Sequence, residues 1–258
     1  MSRLRKLTVS LVLGATIIAS TATPAMAAPQ TDRTAGARPA ATQTIAVDPM
    51  TIAEAAKAAY DLYKMFAGGG LTLEDATHRI LAAIQQARDA IIHHIDAVAA
   101  ANVQACARSA VVDFPNFQIL TPDNKQTFAL NATSCVILGD TLLNTLVDKG
   151  AIDQLGFALN AVGPIALITR SWVHFTNAGI PPILTHSNQV VYNQIKPVCG
   201  SFREPGNPTS PVWACTAYNG DYSDMPLRLP HDTVIDEAAY RTSWLVAKAV
   251  LPVLPLLS

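Results

Sequence analysis

The sequence predicts an all-α protein: an elongated multi-helix bundle around a hydrophobic central helical hairpin, with a disulfide-closed irregular segment before the last helix. Three observations lead there. Gln126 to Gly139 and Gln154 to Thr169 carry no charged residue and flank a charged turn from Asp148 to Asp153. Segments so free of charge are covered on most sides when they fold as helices. Apolar residues recur at helical intervals from Ile52 to Phe66, from Ile80 to Val98 and again from Ile235. Between Cys199 and Pro230 that periodicity disappears, and Pro, Gly, Asn, Ser and Tyr dominate.

Residues 1–27 read as an export signal. Arg3, Arg5 and Lys6 precede an apolar run from Leu7 to Ile18, and Ala25-Met26-Ala27 is an A-x-A site with cleavage expected after Ala27. The run matches a signal core and is short for a membrane span. The expected location is therefore secreted and extracellular. The 258 residues hold 18 Lys plus Arg and 19 Asp plus Glu; losing the three basic residues of the signal leaves 15 against 19, a formal net charge of −4. No basic cluster remains, which argues against nucleic acid, whose binding relies on clustered Lys and Arg. Residues 28–47, rich in Ala, Thr, Pro and Gln without periodicity, read as a disordered linker. Residues 48–258 then form a single helical domain, long enough for a sizeable core.

The first helix is expected from about residue 50 to 66, opened by Asp48-Pro49 or by Thr51 with Glu54, and stopped by Gly68-Gly69-Gly70. Thr72, followed by Glu74 and Asp75, opens a second helix. Nothing breaks it before Pro115, so it reaches about residue 112, or breaks in the alanine-rich stretch from Ala99 to Asn102. Thr121-Pro122-Asp123 starts a third, to about residue 149, and a fourth follows from about 151 to 176 with a kink expected at Pro164. Pro181-Pro182 ends that helix, and Ser187 to Ile195 reads as a shorter one. In the irregular segment, about 197–231, Val212 to Tyr222 suits a hairpin turning at Asn219-Gly220. The last helix begins near Asp232 and frays through Pro252 and Pro255.

Four cysteines in an exported chain suggest two disulfides. Of the three pairings, spacing favours Cys106 with Cys135 and Cys199 with Cys215. Asp89 and His93 stand at metal-ligand spacing, but no third ligand accompanies them, and a surface pair explains them better. Ser171 and His174, three apart on a helix, suit a nucleophile and its base; the G-x-S-x-G elbow and an orienting acid are missing, so capping or buried hydrogen bonding is the preferred explanation. Asn219, Asp221 and Asp224 offer oxygen ligands to calcium without the twelve-residue loop, and read as an Asx turn.

The aromatic residues Phe202, Trp213, Tyr218 and Tyr222 are the expected binding group. Large rings on a disulfide-closed loop give contact area at small entropy cost, although they also serve as lids on a core. No cofactor motif is found. The expectation is a secreted, disulfide-stabilised helical protein of non-enzymatic binding type, with an extracellular protein or glycan surface as partner. Two alternatives are a membrane-active bundle resembling pore formers such as the colicin domains in pattern only, and an extracellular hydrolase with its site in the 171–231 region.

Overall fold

The computed structural model describes residues 49–204, 207–227 and 231–257, all inside one compact unit, Ile45–Ser258. The expected signal, 1–27, and linker, 28–47, lie outside the described residues. Those residues form nine α-helices and one small sheet, an all-α bundle with an added hairpin module. The helices are α1 (Pro49–Ala67), α2 (Leu73–Gln86), α3 (Arg88–Asp96), α4 (Ala101–Asp113), α5 (Pro122–Leu143), α6 (Lys149–Trp172), α7 (Ile180–Gln194), α8 (Asp232–Ala238) and α9 (Ser243–Val250). The strands are β1 (Val198–Glu204), β2 (Asn207–Thr216) and β3 (Tyr222–Pro226).

α6 is the axis of the molecule. Every residue from Leu155 to Thr169 is buried, and α1, α2, α3, α4, α5, α7 and α9 all pack on it. Its length and composition would allow it to cross a membrane, but 89% of its most apolar window is buried inside the protein. Asp148 caps it by accepting the Ala151 amide at 2.8 Å. Two glycines let neighbours approach closely. A Cβ on Gly156 would stand 2.3 Å from Ser243 Oγ, and one on Gly163 would stand 2.2 Å from Tyr60 Oη. The hairpin of α5 and α6 forms as expected, but its halves differ: α5 exposes Leu130 at 50% and Ile137 at 46%, so only α6 is covered on most sides.

The expected second helix is three pieces: it breaks next to the alanine-rich stretch that the sequence offered as the alternative, and once more at Ala87. A straight helix from residue 72 to 112 would run about 60 Å, whereas α6 spans roughly 36 Å at 1.5 Å per residue. Breaks at Ala87 and Ala97–Ala100 keep Ile80, Ile84, Ile91, Ile95, Val103 and Ala107 on the core. Pro181 and Pro182 open α7 instead of ending a helix, because a first-turn residue needs no amide bond. The last helix is also divided: Thr242 bonds back to the Ala239 carbonyl, α8 turns to the sheet and α9 to α6.

Both favoured disulfides are present. Cys106–Cys135 ties α4 to α5, and Cys199–Cys215 ties β1 to β2. The sheet is antiparallel in the order β1-β2-β3. The hairpin between β2 and β3 turns at Gly220, whose φ of 87° suits glycine; β1 was not foreseen.

Candidate functional site

The sheet is where the expected binding residues collect, and strand alternation sorts them onto two faces. Cys199, Ser201, Trp213, Cys215, Ser223 and Met225 share one face by register. That face is covered by α8: Cys215, Val234 and Ala238 form a buried cluster, with Cys199, Trp213, Met225 and Ile235 packed against it. Val198, Gly200, Phe202, Val212, Ala214, Tyr222 and Asp224 belong to the opposite face. There Phe202 and Tyr222, from the two outer strands, bring their rings to 6.5 Å at a tilt of 44°, and both are exposed, at 42% and 52%.

The four expected aromatics therefore do not make one group. Trp213 stacks on His231 at 4.6 Å on the α8 side. Tyr218 faces the bundle and donates its hydroxyl to Asp153 Oδ2 at 2.8 Å. Only Phe202 and Tyr222 remain together and exposed, on a face whose middle-strand residues Val212 and Ala214 are buried.

What ties this face to the bundle is a set of polar contacts of which the sequence revealed only the Asx turn at Asn219. Asp153, at the start of α6, is buried; its Oδ1 accepts the Ser243 amide at 2.5 Å and the Ser243 hydroxyl at 2.8 Å. Burial pushes its carboxyl above the usual range, opposed by the bonds from Ser243 and Tyr218. Burial and the Asp153 charge also push the Tyr218 hydroxyl upward. In the turn, Asn219 Oδ1 accepts the Asp221 amide at 3.1 Å, and Arg241 grips the Asp221 carboxylate with two nitrogens. That guanidinium holds Asp221 below the ordinary carboxylate range. The Asx turn explains Asn219 and Asp221, and calcium is not needed to order them.

The other candidates find structural roles. Ser171 Oγ donates to the Leu167 carbonyl and accepts from Asn177 Nδ2 at 2.9 Å. His174 has φ 58° and terminates α6: its amide bonds Ser171 O, and the Phe175 amide bonds Arg170 O at 2.9 Å, a left-handed cap in which histidine replaces the usual glycine. Among the described residues no hydrogen bond joins the Ser171 hydroxyl to the His174 ring. Asp89 is almost fully exposed beside Arg88, at 3.8 Å, instead of pairing with His93. His93 meets the edge of His94 at 5.6 Å, and no cluster of three metal-ligating residues occurs among the described residues.

One imidazole does have an orienting acid. His186 Nδ1 lies 2.7 Å from Asp140 Oδ1, which also accepts the Ser187 hydroxyl at 2.6 Å. His186 lines a groove of about 370 Å³ with Pro181, Pro182, Thr185, Gln189 and Leu254. The nearby Thr185 hydroxyl is engaged by the Pro181 carbonyl at 2.8 Å, and first-turn prolines supply no amide donors for an oxyanion. The pair works as a clasp between α5 and α7.

The chain matches no protein-family model, no curated protein and no solved structure.

Proposed function

We propose that the protein is exported and acts outside the cell as a non-enzymatic binding protein, recognising a glycan surface through the open face of its stapled sheet. The observation that carries this reading is the exposed pair of rings, Phe202 and Tyr222, on strands fixed by Cys199–Cys215 and anchored to the bundle through Tyr218 and Arg241. Sugar rings present apolar C–H faces that stack on aromatic side chains, and their hydroxyls seek nearby polar groups. Asp224 lies on the same face and Thr216 ends β2 beside it; both are exposed. Two disulfides are compatible with an extracellular protein, and the basic, apolar and A-x-A segments of residues 1–27 supply a route out.

A membrane-active role is less well supported, because α6 would have to leave seven packed neighbours while the Cys106–Cys135 bond holds α4 to α5. Co-sedimentation with insoluble polysaccharides tests the binding reading. Retention that disappears in Phe202→Ala and Tyr222→Ala supports it, and failure to bind any polysaccharide refutes it.

A further inference from the structure

β1 is an outer strand, and among the described residues no strand pairs with its free edge. Cys199 and Cys215 stand 4.1 Å apart at Cα, the spacing of a non-hydrogen-bonded antiparallel pair, so the Cys199 backbone groups point away from β2. The same holds at Arg203, whose partner Pro211 sends its carbonyl to the Leu227 amide on the β3 side. By alternation Ser201 also faces outward. Among the described residues no backbone hydrogen bond reaches this edge, and residues 200–203 are exposed. Natural outer strands are usually blunted by charge, proline or a bulge; β1 has these only at its ends, Pro197 before it and Arg203 with a register shift after it, and Val198 to Phe202 between them has no charge and no proline.

We propose that β1 is the self-association edge of the protein, where a second copy of the chain adds its own β1 antiparallel about Gly200. In that register Cys199 and Ser201 exchange backbone hydrogen bonds with Ser201 and Cys199 of the other copy. Val198, 73% exposed, falls opposite Phe202 twice over. Gly200 also gains a purpose. A Cβ there would meet nothing within 4 Å in the single chain, whereas at the two-fold axis the two Gly200 backbones meet at the closest spacing of the ladder. The result is one six-stranded sheet with both Phe202–Tyr222 pairs on the same side, as expected of a closed isologous dimer. This inference does not depend on what the open face binds.

Light scattering and sedimentation of the purified full chain over roughly a hundredfold range of concentration, bracketing micromolar affinity, test it. The expected result is a concentration-dependent dimer. Ser201→Pro, which removes an outward amide and no bond to β2, and Phe202→Glu, which leaves every backbone group in place, should each weaken association at least tenfold with an unchanged circular dichroism spectrum. Gly200→Cys should cross-link copy to copy on mild oxidation. A monomer at every concentration, a dimer indifferent to both Ser201→Pro and Phe202→Glu, or a dimer in which Gly200→Cys fails to cross-link would each overturn the proposal.

Discussion

The hydroxyl of Tyr218 donates to the buried carboxylate of Asp153 at 2.8 Å, across 65 residues of chain, and this bond joins the axis of the bundle to the sheet. Asp153 also holds the first residue of α9 through Ser243. Asp153→Ala leaves the Ser243 amide, the Ser243 hydroxyl and the Tyr218 hydroxyl without their acceptor. It should cost about 3 kcal/mol in urea unfolding. Asp153→Asn keeps one acceptor oxygen and should cost less.

The same carboxyl sets a sign for stability against pH. Its folded-state pKa is raised by burial, so the folded chain holds this proton more tightly than the unfolded chain. The stabilisation is fully present below the ordinary Asp value near 4 and is lost as pH rises through the folded value. Between the ordinary Asp value and the raised folded value, stability should therefore fall less with rising pH in Asp153→Asn than in the parent chain.

His94 carries the opposite sign. Its ring stacks on Phe157 at 3.9 Å, and burial, aided by the His93 charge, lowers its pKa to about 4. Its contribution is present above the unfolded value near 6.5 and is lost as pH falls towards 4, by roughly 1–2 kcal/mol after discounting the ring's partial exposure. An NMR titration of the His94 ring should give a midpoint far below that of an exposed histidine, and His94→Phe should remove this part of the acid sensitivity. A midpoint near 6.5 would refute the assignment.

Gly163 is a close-packing position. The 2.2 Å approach of a Cβ to Tyr60 Oη means that Gly163→Ala should cost about 1–3 kcal/mol through overpacking. Adding Tyr60→Phe, which removes the obstructing oxygen, should recover a large part of that loss. A double-mutant cycle of thermal or urea unfolding measures the coupling directly.

Removing Cys106–Cys135 with paired serines should cost about 3 kcal/mol, as expected for a link across 29 residues. Calorimetry of the variant beside the parent under non-reducing conditions checks it. No change in unfolding temperature would show that the α4–α5 contacts hold without the bond.

The helices were legible where composition alone decides them. The charge-free run from Gln154 to Thr169 and the Thr72 and Thr121 caps placed α6, α2 and α5. Long-range fit was not legible. The break before α4 falls at the alanine-rich stretch that the sequence offered as an alternative, but the break at Ala87 follows from the length of α6, and the retreat of Tyr218 from the aromatic group follows from Asp153, whose neighbours along the chain look like a solvated turn. A hint was present: Asp153, Gly156 and Asn160 recur at helical spacing on a segment otherwise too apolar to face water. β1 escaped because VCGSFRE has a glycine as its third residue and no strict alternation.

The central claim is recognition of a glycan by the open face of the sheet, and its most direct test is co-sedimentation of the purified chain with chitin, cellulose and peptidoglycan sacculi, alongside the Phe202→Ala/Tyr222→Ala double variant. The account predicts saturable binding to at least one of these, weakened roughly tenfold or more in the double variant while its circular dichroism spectrum is unchanged. No binding to any polysaccharide, or equal binding by the double variant, would contradict it.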